Sequence, residues 1–258
     1  MKILSVANHK GGVGKTATTR ALGDVLAALG LRVLMIDSDH QGSLSLSCGV
    51  KNANPCLANV FQVAGRDPLP LSKVVVNISK RLDLVPSSLA LAAAETEIVS
   101  RPGREFILAD ALNEVRGAYD IVLIDCPPAL GQLVINALCA TDSVLIPSPA
   151  QPVDLAGVMM FIQTVNGIRA NRRLNPDLVI FGILLTFFDG RLNTHTASRD
   201  SMLAADLPVL PMVIPRSVRV AESAATGESV MTFDAGNPAA SGFQELGKVV
   251  QEWLRKSK

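Results

Sequence analysis

Seven residues near the start of the chain, Lys10-Gly11-Gly12-Val13-Gly14-Lys15-Thr16, have the composition of a phosphate cradle. Gly11, Gly12 and Gly14 allow backbone angles and a closeness of approach that side chains would block. Successive N–H groups, including those of Val13 and Ala17, can then point at phosphate oxygens. Lys15 can reach the β- and γ-phosphates of a nucleoside triphosphate, and Thr16 can offer its hydroxyl to Mg²⁺. The strict loop spacing asks for another glycine at position 9, where this chain has His9.

Such a loop needs one lysine, and here there are two. Lys10 sits at the outer lip, where a side chain points away from its own nucleotide toward whatever covers the loop. It is well placed to reach the phosphates of a nucleotide held by a facing subunit, as arginine fingers do in other phosphoryl-transfer systems.

Carboxylates end two aliphatic runs. In "YDIVLIDCPPALG" (119–131) Asp125 closes a strand-like stretch and is predicted to contact Mg²⁺ through water, with two prolines fixing the exit. In "VLMIDSDHQG" (33–42) Asp37 and Asp39 lie two residues apart and share a face if the strand continues.

The elements that must position these groups are legible as alternating patterns. Short aliphatic runs at 3–7, 32–37, 82–86, 120–125, 143–147, 178–186 and 209–214 read as strands. Segments 16–29, 88–98, 104–116, 132–139, 154–170, 194–205 and 240–256 read as helices. That alternation predicts an α/β fold, a doubly wound, mostly parallel sheet flanked by helices. Residues 1–258 read as one domain, with no room before the first strand for an N-terminal helix-turn-helix module. Residues 50–80 are the least informative stretch.

Composition narrows the class. Hydrophobic residues make up 48% and aromatics only 4%, so aliphatic side chains must fill the core. A net charge of +1 gives no global field toward nucleic acid or membrane, so any such affinity must be local. Cys48, Cys56, Cys126 and Cys139 show neither a C-x-x-C pair nor a histidine at metal-ligand spacing, so reduced thiols are expected. No signal-peptide or membrane-helix pattern is present, which predicts a cytoplasmic protein.

The loop resembles the deviant Walker A motif of the ParA/MinD superfamily of dimerising P-loop ATPases, whose signature lysine crosses the dimer interface. The resemblance to ParA/Soj proteins extends over nearly the whole chain. It is tightest at 10–16, 33–42, 119–138 and 184–223, where "LLTFFDGRLN" and "VIPRSVRVAES" match. It implies an ATP-dependent homodimer that binds double-stranded DNA without reading sequence, is nucleoid-associated, drives partitioning, and hydrolyses ATP slowly under stimulation by a ParB-type partner. On the same resemblance Lys10, Lys15 and Asp39 are catalytic, with Asp39 placing the attacking water. Asp37 supports the Mg²⁺ held by Thr16 and Asp125. Pro215 and Ser217 lie beside the adenine, and Arg191 and Arg219 contact DNA.

The chain departs from that pattern at Ala17, where the family has a threonine. It departs again at His40, in place of a proline, and at Gln151, Pro152 and Val153, in place of a glutamate and aromatics. Two other readings stay open. A ParA-like ATPase could position a non-DNA cargo. A MinD-like membrane positioner would use the tail, where Phe243, Leu246, Val250, Trp253 and Leu254 form a stripe followed by Arg255, Lys256 and Lys258. The stripe is expected to pack on the core instead, leaving no stable membrane association. Amide-forming or iron–sulfur enzymes share the scaffold, but no paired cysteines or substrate motif stand out.

Overall fold

The computed structural model describes residues 1–61 and 67–256. Eight strands form one sheet: β1 (Lys2–Val6), β2 (Val33–Asp37), β3 (Val76–Ser79), β4 (Leu82–Val85), β5 (Ile121–Asp125), β6 (Ser143–Pro149), β7 (Val179–Phe188) and β8 (Val209–Pro215). Their order is β3-β4-β2-β5-β1-β6-β7-β8, and every pairing is parallel except β3 with β4.

Helices cover both faces: α1 (Lys15–Ala28), α2 (Ser43–Ser47), α3 (Leu57–Phe61), α4 (Ala90–Glu97), α5 (Ile107–Asn113), α6 (Gln132–Ala140), α7 (Pro152–Ala170), α8 (Asn193–Ala204), α9 (Val218–Thr226), α10 (Val230–Phe233) and α11 (Pro238–Lys256). Strand alternation splits the core in two. Leu34, Ile36, Val122 and Ile124 face one layer, which receives Phe61, Leu108, Leu133 and Phe161. Val33, Met35, Ile121 and Leu123 face the other, with Leu22 and Leu26 of α1 and Phe243, Leu246 and Val250 of α11.

The sequence reading misses some elements. The antiparallel edge strand β3 and the short helix α3 fall in the stretch that carried little pattern. β3 is half-buried and alternates with exposed positions, so it lacks the aliphatic run that marks a central strand. Helices α2, α9 and α10 were also unread, being only 4 to 9 residues long. The helix expected over 104–116 is a 3₁₀ turn at Arg104–Phe106 followed by α5.

The tail reading is settled by packing. Phe243, Leu246, Val250 and Leu254 are buried against the sheet and α1, and Trp253 meets Phe181 edge-on. Gly247 brings the two helices together: a Cβ there would lie 2.2 Å from Cγ1 of Val25. Lys258 lies outside the described residues. Among those described, no helix is long and apolar enough to cross a membrane.

If α11 is core rather than a detachable anchor, Leu246→Ala should lower unfolding free energy by about 2–5 kcal/mol, read from the urea midpoint. A change below about 0.5 kcal/mol, the range of surface substitutions, would show that the helix contributes little to the fold.

Candidate functional site

Parallel pairing gathers the site. Val6, at the end of β1, is in register with Asp125, and Asp125 is in register with Asp37 across β5 and β2. The chain leaves β1 into the loop and enters α1 at Lys15, at the carboxyl edge of the sheet, where such folds bind ligands. Gly12 and Gly14 have φ of 70° and 90°, which glycine accepts freely and which turn the loop into the helix. Thr186 steadies the loop from β7, donating its hydroxyl to the Val13 carbonyl at 2.9 Å.

Lys15 is buried and donates Nζ to the Lys10 carbonyl at 3.0 Å, so its ammonium closes across the loop mouth. Burial lowers its pKa, against the pull of Asp125. Thr16 donates its hydroxyl to Oδ2 of Asp125 at 2.8 Å, and Thr19 donates to Oδ1 at 3.3 Å. Asp125 is fully enclosed; burial, then the neighbouring Asp37, pushes its pKa up to about 8. Asp37 is pushed up to about 6 by burial.

Were both ionised, two buried carboxylates beside one lysine would leave a deficit of positive charge. The raised pKa values relieve it by protonation in the ligand-free protein, and a bound divalent cation would relieve it by its charge. Among the described residues, no three His, Cys, Asp or Glu side chains converge to hold a metal by themselves. Magnesium takes one or two protein groups and completes its shell with phosphate oxygens and water, so Thr16 with Asp125 behind it fits that ion.

Asp37 and Asp39 differ from the expectation that they share a strand face. β2 stops at Asp37 because that carboxylate accepts the hydrogen bonds of the loop beyond it. Oδ2 takes the Ser45 N–H and hydroxyl at 2.8 and 2.7 Å, and Oδ1 takes the Asp39 N–H at 3.2 Å. Asp37 therefore anchors the loop, whereas Asp39 lines the cavity. His40 does not disorder this turn: the Gln41 N–H donates to Oδ1 of Asp39 and the Gly42 N–H to its carbonyl.

A cavity of about 490 Å³ runs from the loop to α9. Gly11, Gly12, Gly14, Lys15, Thr16 and Ala17 form its phosphate end, and Pro215 and Ser217 line the far wall with Phe187. Phe187 holds φ of 52°, uncommon for a bulky side chain, near the end of β7, where its register with β8 shifts.

Three features escaped the sequence. Lys10 bonds through Nζ to Oδ1 of Asp154 on α7; the lysine side chain is 47% exposed and the aspartate 2%. The partners are 144 residues apart, beyond any local pattern. His9, on the same lip, meets Oγ1 of Thr164 at 3.0 Å and the ring of Phe161 edge-on, so α7 braces the loop twice. Arg20 and Thr18 also line the cavity, one turn into α1.

The arginines matched to DNA contact are both exposed and both paired with carboxylates. Arg191, in the loop after β7, pairs through Nε and Nη2 with both oxygens of Asp189. Arg219, on α9, reaches Glu222 and Asp234. Gln151 holds the N-cap position of α7 without a side-chain cap, its carbonyl accepting the Asp154 N–H at 2.9 Å, while the side chains of Pro152 and Val153 lie outside what is described.

Residues 1–180 match the family model described as an AAA domain. The chain is 37% identical over 252 residues to the sporulation initiation inhibitor protein Soj of Bacillus subtilis, covering 96% of this chain and 98% of that one. It is 35% identical over 249 residues to the chromosome partitioning protein ParA of Myxococcus xanthus, covering 96% and 87%. Among solved structures it is similar to one described as cobyrinic acid a,c-diamide synthase of Mycobacterium smegmatis with a bound ATP analogue and magnesium. That match has a TM-score of 0.87 and 30% identity, and covers 100% of this chain and 97% of that one.

The raised carboxylates fix a direction for stability. Well below the ordinary aspartate pKa of about 3.9, both are protonated in folded and unfolded chains alike. As pH rises the unfolded chain releases these protons first, while the fold retains them toward about 6 at Asp37 and about 8 at Asp125. The unfolded state then binds fewer protons, and stability of the ligand-free protein falls through that window, by up to about 1.4 kcal/mol per pH unit for one group. Asp125→Asn should flatten this slope in urea titrations between pH 5 and 8. Equal slopes would show Asp125 ionised in the fold.

Proposed function

The chain belongs to the ParA/Soj family of P-loop ATPases, and from that premise we propose that it is an ATP-driven partitioning switch. ATP and Mg²⁺ occupy the loop, two copies close face to face, and the dimer binds DNA through phosphate contacts without reading sequence. A ParB-type partner stimulates slow hydrolysis and releases the dimer. The observation that carries this reading is Lys10, a second lysine on the exposed lip of a phosphate loop whose own Lys15 already fills the mouth.

The residues divide the work in this reading. Loop amides and Lys15 hold the β- and γ-phosphates, and Thr16, with Asp125 behind it, holds the metal. Asp37 fixes the loop that presents Asp39, and Asp39 orients the attacking water. Lys10 leaves Asp154 and reaches the nucleotide of the facing copy, adding positive charge where negative charge develops. Ala17 contributes only its N–H, a loss of one hydroxyl hydrogen bond worth about 0.5–1.5 kcal/mol. Arg191 and Arg219 contact DNA phosphates, each exchanging a local carboxylate for a stronger partner.

An amide-forming enzyme is the second reading, favoured by the description attached to the M. smegmatis structure. It requires an acid acceptor and a source of nitrogen at the nucleotide. Among the described residues no cysteine lines the cavity to release ammonia as a nucleophile, which favours the switch.

The test is co-sedimentation with unrelated duplex DNA under ATP, ADP or no nucleotide, with anionic liposomes in parallel. DNA retention that needs ATP and weakens steeply between 50 and 200 mM salt is expected, without liposome binding. Lys10→Ala should abolish ATP-dependent dimerisation or hydrolysis, and Arg219→Glu should lose DNA while still dimerising. Retention that is indifferent to nucleotide would overturn the switch, and liposome binding in place of DNA would make this a membrane positioner.

A further inference from the structure

Three residues that line the cavity beside the loop each carry a buried polar atom without a partner: Oγ1 of Thr18, Nη1 of Arg20 and Oγ of Ser217. An unpaired buried donor costs about 1–3 kcal/mol, more when charged, so three around one cavity point to a ligand that satisfies them. None belongs to the phosphate end of the loop. Thr18 and Arg20 lie on α1 beyond Thr16, and Ser217 begins the opposite wall at the start of α9.

Arg20 is the directed member of this set. Its Nε donates to Oδ2 of Asp24 at 2.8 Å, one turn further along α1, and both side chains are largely enclosed. Asp24 also bonds the Ser229 side chain at the head of α10, and Arg20 bonds Cys48 after α2. The guanidinium is thus held by Asp24 and Cys48, while Nη1 is left without a partner on a side chain that lines the cavity. An arginine only donates, so what it meets there must accept.

Position selects the acceptor. Phosphates seated on Gly12–Thr16 place the rest of a nucleotide further along the cavity. Arg20 is four residues past Thr16, about 6 Å along the helix axis. We propose that Arg20 is a specificity-determining residue that donates Nη1 to an uncharged acceptor on the nucleoside half of the nucleotide, a ribose oxygen or a ring nitrogen of the base. Ser217 closes on the same half from α9, so the contact joins α1 to the helix that carries Arg219. The proposal rests on the cavity being the nucleotide site.

Displacement of a fluorescent ATP analogue by ATP, 2′-deoxy-ATP and inorganic triphosphate separates the outcomes, with Mg²⁺ present throughout. Arg20→Lys keeps a cation for Asp24 while removing the second arm of the fork, and Arg20→Met removes both. Both variants should bind ATP about tenfold more weakly, the scale of one charged-donor hydrogen bond, with inorganic triphosphate unaffected. If 2′-deoxy-ATP is then unaffected too, the acceptor is the ribose hydroxyl. If it weakens in step with ATP, the acceptor lies on the base or elsewhere on the sugar ring.

Equal weakening of all three, triphosphate included, would make Arg20 a support of the fold and overturn the proposal. No weakening of ATP by Arg20→Lys, with an unchanged thermal midpoint, would overturn it as well. Failure of the unmodified protein to bind any of the three would instead strike the nucleotide site itself.

Discussion

Two carboxylates and an ammonium taken out of water at the same end of a parallel sheet set the terms for everything else here. Asp37 and Asp125 are neighbours across paired strands, and Lys15 is buried at the loop mouth beside Asp125. Charges so enclosed are tolerated only when hydrogen-bonded or paired. The surrounding structure is organised to meet that demand: Thr16 and Thr19 donate to Asp125, while Ser45 and the Asp39 amide donate to Asp37. The remaining deficit of positive charge gives a phosphate-bound cation its place. The loop between β2 and α2 is shaped by the same requirement, since Asp37 determines where it begins and where Ser45 sits.

The lip of the loop is held by a different balance. Lys10 pairs with a buried aspartate while its own side chain stays half in water, and the second oxygen of Asp154 has no partner. That arrangement constrains Asp154 more than Lys10. Losing the lysine leaves an enclosed carboxylate unpaired, so on the proposed function Lys10 departs only for a stronger anion, such as a triphosphate presented by a facing copy. The pair then opposes closure without nucleotide, and His9 on Thr164 and Phe161 ties the same lip to α7 independently of charge.

How much of this was legible follows from how local each signal is. The loop, the two strand-end aspartates and the alternation of central strands and long helices are written in short runs of sequence, and the fold has them. Asp154 could not be read, since its partner is 144 residues away and a lone aspartate at a helix start has an ordinary capping role. The separate duties of Asp37 and Asp39 were hidden for a related reason: periodicity assumes a continuing strand, and only the loop's hydrogen bonds show that it stops. Arg20 was not read: four positions past Thr16 puts it near the same face of the helix, but only the packing shows that this face meets a cavity. Edge strand β3 was lost because a half-buried edge lacks the aliphatic density of a core strand.

Surface charge closes the physical argument. Arg191 is matched by Asp189, and Arg219 by Glu222 and Asp234, so on the proposed function these two positions of a single copy offer DNA local dipoles rather than unpaired positive charge. With a net charge of +1, long-range attraction is weak as well. Each exposed ion pair is worth at most about 1 kcal/mol, which a nearby phosphate can displace. Affinity for a polyanion then depends on how many such exchanges happen together. Doubling their number by pairing two copies raises binding through effective concentration rather than through new contacts. On the proposed function, the near-neutral surface is what lets nucleotide state control DNA binding, because a strongly basic monomer would stay bound whether or not it had dimerised.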